Sequence, residues 1–207
     1  MSAEIVIVGA GGHGRETLDI VDALGEEWRF AGFVDDGEVV AERLERRDAS
    51  VVALEDLDAA AVRYVIGIGD SVAREAVDAR MSGAGFEAAT LVHPRATIGG
   101  DVRLALGVVL AAGAQVTTNV SLGRHTQLNV GACVSHDCEV GDFVTLSPGV
   151  YVNGECEVGD SVFFGTGAIV TPRTRIGAGA KVGAGAVVLD DVPEGATVVG
   201  VPARAAS

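Results

Sequence analysis

The residues best placed to do chemistry are a histidine and its neighbours. The chain holds four histidines, His13, His93, His125 and His136, and only His136 is followed directly by a carboxylate, Asp137. Gly154 lies eighteen residues further on. A histidine that can take a proton, a carboxylate that can orient it and a backbone N–H left open by glycine are the parts that acyl transfer needs. A solvated histidine accounts for His136 equally well at this level. A second candidate is Gly9-Ala10-Gly11-Gly12-His13-Gly14. Its Gly9, Gly11 and Gly14 satisfy G-x-G-x-x-G, and Asp35 follows Gly14 by twenty-one positions. Glycines let a phosphate approach the backbone, and the N-terminus of the following helix favours negative charge. A nucleotide-sugar or mononucleotide, NAD, and a purely structural tight turn all remain open from this pattern.

The elements that must position His136 are set by a repeat. From Ile98 to Val188 every sixth residue is aliphatic or Phe, sixteen positions without a slip: Ile98, Leu104, Leu110, Val116 and so on. Two residues before each stands a small residue, always Ala, Val, Thr or Cys. Side chains alternate along a strand, so both series face one interior. Three residues after each aliphatic, Gly, Asn and Asp recur, as at Gly107, Asn119, Gly131 and Asp137. These types tolerate positive φ and mark a corner. Short strands and sharp corners build a parallel β-helix of hexapeptides, three to a coil of eighteen residues. The span predicts about five coils and no inserted loop; a β-sandwich would need longer strands with polar alternation. On this register His136-Asp137 lies on a corner, with Thr118 one coil before and Gly154 one coil after. His125 falls on another corner, where exposure to solvent is expected. His93 precedes Pro94 and reads as structural.

Before residue 92 the hexads vanish. Glu4–Val8 reads as a buried strand, Arg15–Leu24 as a helix, Phe30–Val34 and Val62–Ile68 as strands, and Val72–Ser82 as a helix. This βαβ…βα order predicts a small parallel sheet in a domain over 1–91, followed by the β-helix over 92–207. Some ninety residues make half of a dinucleotide fold, which favours a mononucleotide or nucleotide-sugar over NAD.

Composition sets the outer bounds. The 207 residues are 48% hydrophobic but only 4% aromatic, with 29 glycines, so a core of small aliphatics is required. A net charge of −14 disfavours nucleic acid. No apolar run approaches the ~20 residues needed to cross a bilayer, and the first residues read as a strand without a basic segment, so neither membrane insertion nor a signal peptide is expected. Three cysteines without Cys-x-x-Cys spacing argue against a disulfide framework or a zinc knuckle. A zinc enzyme on this prism, such as a γ-type carbonic anhydrase, needs three converging histidines, and the repeat holds only His125 and His136. No metal and a cytoplasmic location are expected.

These residues resemble one known family over nearly the whole chain. They are similar to the trimeric left-handed β-helix acyltransferases with an N-terminal Rossmann-like half-domain, which include sialic acid O-acetyltransferases and N-acetyltransferases of nucleotide-linked 4-amino-4,6-dideoxysugars. The motifs that carry the likeness are Gly9–Gly14, Phe33-Val34-Asp35-Asp36, Ile66-Gly67-Ile68-Gly69-Asp70, Leu91-Val92-His93-Pro94, Leu128-Asn129, Ser135-His136-Asp137-Cys138 and Gly200-Val201-Pro202-Ala203. The resemblance implies acetyl-CoA as donor, a nucleotide-sugar as acceptor, and a homotrimer with active sites between subunits. It makes His136 the general base and Asp137 the acid that orients it. Gly11, Gly12, His13, Asp35, Asp36 and Gly69 then contact the nucleotide-sugar, with Asn129 near the acceptor. Thr145, Gly154, Thr166 and Ala184 line the CoA groove. Thr145 stands where the family carries a histidine against the acetyl donor. N-acetylation is the expected reaction; O-acetylation of a sugar hydroxyl, or nucleotide-sugar binding without catalysis, are the alternatives.

Overall fold

The computed structural model describes residues 2–206, which divide into two compact units, one ending at Leu91 and the other starting at Val92. In the first, β1 (Ala3–Val8) is central because Ile5 to Val8 is apolar on both faces and fully buried. It pairs in parallel with β2 (Trp28–Val34) on one side and β3 (Val62–Ile66) on the other. A short β4 (Glu87–Ala88) adds to β3, giving the order β2-β1-β3-β4. The helices are α1 (Gly12–Leu24), α2 (Ala41–Glu45) and α3 (Ser71–Gly83). Helix α1 starts three residues earlier than its periodicity indicated, and β3 stops at Ile66, leaving Gly67–Asp70 as a loop. Asp70 caps α3 by accepting the Ala73 N–H at 2.8 Å.

Register brings Val8, Val34 and Ile66 side by side. The segments that follow these residues therefore meet at the carboxyl end of the sheet. They are the glycine turn, Asp35-Asp36 and Gly67–Asp70. The chain reverses direction across the sheet between β1 and β3, and this is where open α/β sheets bind ligands.

The second unit is a parallel β-solenoid of about six coils. One face stacks Thr97–Ile98, Gln115–Val116, Cys133–Val134, Tyr151–Val152, Ile169–Val170 and Val187–Val188. The second face carries Glu139–Val140, Glu157–Val158 and Arg175–Ile176. The third carries Gln127–Leu128, Thr145–Leu146, Phe163–Phe164 and Lys181–Val182. Each pairing joins residues eighteen apart. Bonds such as Thr145 N–H to the Val162 carbonyl (2.9 Å) hold the coils together. The inward series is buried, from Val108 and Leu110 to Ala186 and Val188.

Corners recur every six residues with positive φ, from Asp101 to Gly185. Glycine, Asn and Asp fill most of them, as the sequence pattern requires. His125, Phe143, Glu155, Ser161 and Arg173 also adopt this conformation. Left-handed backbone costs such residues about 1–2 kcal/mol each, so interior packing and coil-to-coil hydrogen bonds dictate the corner even where the residue type does not favour it. The solenoid extends past Val188: Lys181 pairs with Thr197, sixteen residues on, so the last coil is two residues short. Thr197–Val199 then takes Arg204–Ala205 as an antiparallel neighbour, which covers an otherwise open sheet edge.

Candidate active site

His136 and Asp137 form the corner between the first and second faces. Nδ1 of His136 lies 2.8 Å from Oδ2 of Asp137. Both side chains are about half exposed, 55% and 49%. Nε2 of His136 meets no hydrogen-bond partner among the described residues, so with Nδ1 protonated toward Asp137 it is the nitrogen available to take a proton. The other oxygen of Asp137, Oδ1, accepts an N–H from the Asn119 side chain at 3.0 Å. That hydrogen bond first, and the one from His136 second, hold the Asp137 carboxyl below its ordinary range. The carboxylate form is thereby favoured.

Gly154 packs against the imidazole from the next coil. A Cβ there would lie 2.5 Å from Nε2 and 3.0 Å from Nδ1 of His136. Only glycine leaves the ring where it is. The Gly154 carbonyl accepts from Arg173, whereas its N–H donates to no acceptor among the described residues. Cys138, two residues past His136, points inward, is fully buried and donates to the Asn153 carbonyl at 3.1 Å. Its hydrogen bond with Cys156, and then burial, push the thiol strongly up. A neutral, enclosed thiol is no nucleophile for this site.

His125 is a correction. Expected to be exposed, it is fully buried. Its ring stacks on Phe143 of the next coil, centroids 5.7 Å apart, and occupies the space that a side chain at Gly107 of the previous coil would fill. His125 is covered because the Phe143 ring lies over it from the next coil, whereas His136 meets only Gly154 there. His93 behaves as expected: its Nδ1 accepts the Arg95 N–H at 2.9 Å.

Other candidates fall elsewhere on the solenoid. Thr166 and Ala184 are exposed on the edge between the third and first faces, and so do not meet His136 within one chain. Asn129 precedes the same edge and donates to the Leu146 carbonyl at 3.1 Å. Thr145 sits on the third face, 2% exposed.

In the first unit, Gly14 is required by packing, because a Cβ there would overlap the Gly9 carbonyl. Gly11 and Gly12 are not so constrained: a Cβ at either meets nothing within 4 Å, and the same holds at Gly69. Gly11 is the N-cap of α1 and supplies no side chain to the first-turn N–H groups, and that turn holds no acid. An anion there would meet open backbone donors and the positive end of the helix. Asp35 spends both oxygens on backbone, accepting Ala10 N–H at 2.6 Å and Gly37 N–H at 2.8 Å. It ties the glycine turn to the end of β2. Asp36 pairs with Arg80, and His13 lies 3.5 Å from Glu16. A recess of about 200 Å³ is lined by Gly9, Asp35, Asp36, Ile68, Val77 and Arg80. Behind it the buried Arg74 donates to the carbonyls of Ile68 (2.9 Å) and Gly69 (3.1 Å), and burial lowers its pKa to about 10.

Sequence reasoning missed Asn119, Arg74 and Arg80. Asn119 carried a readable signal, since it lies eighteen residues before Asp137. The arginines carried none, because nothing in their spacing marks which loop they reach.

Comparison with known proteins decides the family. Residues 4–81 match the PglD N-terminal domain, and residues 155–190 match the bacterial transferase hexapeptide, described as six repeats. No curated protein sequence matches the chain. Among solved structures, a perosamine N-acetyltransferase from Caulobacter crescentus, a histidine-to-asparagine variant in complex with CoA and GDP-perosamine, is 33% identical with a TM-score of 0.90. The match covers 99% of this chain and 97% of that one. The chain belongs to the hexapeptide-repeat sugar acetyltransferases. The acetyltransferase domain of PglB from Neisseria gonorrhoeae, in complex with acetyl coenzyme A, is 30% identical over the full length of both chains, with a TM-score of 0.90. WeeI from Acinetobacter baumannii is 31% identical, covering 98% of this chain and 99% of its own, with a TM-score of 0.87. The enzyme is thus a member of this family in both of its units. No helix among the described residues is long and apolar enough to cross a membrane, and no group of three His, Cys, Asp or Glu among them could hold a metal ion.

Proposed function

We propose that the enzyme transfers an acetyl group from acetyl-CoA directly to the amine of a nucleotide-linked 4-amino-4,6-dideoxysugar. The observation that carries this reading is the His136 corner: an open Nε2, a carboxylate 2.8 Å from Nδ1, and Gly154 against the ring. The Caulobacter neighbour, an N-acetyltransferase crystallised with CoA and GDP-perosamine, supports the substrate class.

In this reaction Nε2 of His136 takes a proton from the sugar amine as its nitrogen attacks the thioester carbonyl. A C–N bond forms, and the carbonyl oxygen becomes an oxyanion held by the Gly154 N–H. Collapse breaks the C–S bond, and the CoA thiolate leaves with the proton that His136 has carried. General-base assistance contributes about 10²–10⁴ in rate, and one oxyanion donor about 2.7–4 kcal/mol. Asp137 holds the Nδ1 proton and steadies the imidazolium. Gly11, Gly12, His13 and Gly69 surround the nucleotide phosphates, with Asp35 and Asp36 shaping the recess beside them.

The enzyme works as a homotrimer in this account. Val130, Tyr151, Phe163 and Ile169 are 58%, 46%, 37% and 38% exposed and flank the edge that bears Thr166 and Ala184. Packing that apolar edge against the His136 edge of another copy unites the two halves of the CoA groove, with Asn129 supplied from the neighbouring chain.

The test is to incubate the enzyme with acetyl-CoA and GDP-, UDP-, dTDP- or CMP-linked 4-amino-4,6-dideoxysugars and follow thiol release. One sugar should give stoichiometric release and an acetylated product stable to hydroxylamine. A hydroxylamine-labile ester contradicts transfer to an amine, and absence of acceptor-dependent thiol release contradicts catalysis.

A further inference from the structure

We propose that Asn119 is a positioning residue: its side-chain N–H pins one oxygen of Asp137 so that the other is presented to Nδ1 of His136. This rests on the reading of His136 as general base.

The geometry assigns one donor to each carboxylate oxygen. Oδ1 takes the Asn119 amide at 3.0 Å, and Oδ2 faces His136 Nδ1 at 2.8 Å. Asp137 is half exposed, and its terminal torsion is broad and roughly two-fold. A single contact between exposed groups is weak and fails to hold such a side chain in one orientation. The second anchor comes from a different coil, so the carboxylate is fixed to the rigid hydrogen-bonded stack rather than to its own corner. Asn119 is itself steadied: its backbone N–H donates to the Gly100 carbonyl at 3.1 Å, which also accepts the Thr118 hydroxyl at 2.9 Å.

The residue type fits the task. Asn119 occupies a left-handed corner, φ 55°, which asparagine tolerates well. It offers an N–H donor without charge. A lysine or arginine there would compete with the imidazolium for the carboxylate, and an aspartate would repel it. The surroundings leave no slack for added negative charge. Asp101 lies one coil before Asn119, Glu155 one coil after Asp137, and Glu139 lines the same groove. The nearest cations in that groove are engaged, Arg173 at 3.8 Å from Glu155 and Arg175 at 3.1 Å from Glu157. The hydrogen bond from Asn119 is also the largest cause of the depressed Asp137 pKa.

The experiment uses the full-length enzyme with acetyl-CoA and its acceptor, comparing Asn119→Gly, Asn119→Asp and His136→Ala. Glycine removes the side chain and eases the left-handed backbone; aspartate keeps the shape and replaces the donor. The Gly variant should lower kcat about tenfold, the worth of a hydrogen bond to a charged group, with both KM values unchanged. The Asp variant should lower it further, because the new carboxylate also repels Asp137. In an Asp137→Asn background, Asn119→Gly should add no further loss, because it acts only through Asp137. Wild-type kcat in both variants, or full additivity with Asp137→Asn, overturns the proposal. If His136→Ala is inactive while Asn119→Gly turns over normally, only the positioning role fails. If His136→Ala keeps its activity, the general-base reading fails with it.

Discussion

Replacing Gly154 by alanine adds one methyl group, and the structure says where it lands. The new Cβ would lie 2.5 Å from Nε2 of His136, with Cε1 closer still, against 3.4 Å for ordinary contact, so the imidazole must retreat by at least about 0.9 Å (3.4 − 2.5). Gly154 does not have positive φ, so its backbone accepts alanine without strain. The ring is half exposed and free to swing outward, so stability should change little. Catalysis should not escape. Misplacing a catalytic group by 1 Å costs about 10²-fold, equivalent to roughly 2.7 kcal/mol of barrier, and the outward swing also breaks the contact with Asp137. The expected result is a fall in kcat of about 10² or more, with a melting temperature within about 2 °C of wild type. Thiol release under saturating acetyl-CoA and acceptor, with a thermal melt of the same preparation, measures both. An alanine variant with wild-type kcat would refute the claim that His136 works in the position seen here. A large drop in melting temperature would refute the claim that the effect is local to the site.

Leu146→Ala empties a fully buried interior position flanked by Leu128 and Phe164 and should cost about 2–5 kcal/mol in denaturant unfolding; a loss below about 1 kcal/mol would contradict the packed interior. Arg74→Met should cost about 3 kcal/mol by the same measurement, because the Ile68 and Gly69 carbonyls lose their donors. It should also raise KM for the nucleotide-sugar, leaving KM for acetyl-CoA unchanged. Gly14→Ala puts a methyl into the Gly9 carbonyl and should destabilise the N-terminal unit by several kcal/mol, read as an earlier unfolding transition; an unshifted melt would contradict the close approach.

The solenoid was legible because its physics is periodic. An inward aliphatic every six residues and a corner three residues later specify both the coil and the stack, so arithmetic in steps of eighteen places Gly154 beside His136. The same arithmetic, applied to His125, finds Gly107 and Phe143, the two neighbours that enclose it; corner position alone did not. Non-glycine corners at Glu155 and Arg173 were invisible, since long-range packing overrides local preference there. In the N-terminal unit the strands and glycine turn were readable from apolar runs and spacing. The use of Asp35 as a clasp for the Ala10 and Gly37 N–H groups was not, because a motif names a residue without saying which way its oxygens face. Nor was the last coil, where the register shortens by two residues between Lys181 and Thr197.

The central claim is that His136 removes the proton from the attacking group. Its most direct test is the rate of thiol release by His136→Ala at saturating acetyl-CoA and sugar acceptor, with binding of both ligands checked by thermal shift. The account predicts that both ligands still bind while turnover falls by about 10²–10⁴. Turnover at the wild-type rate would contradict it.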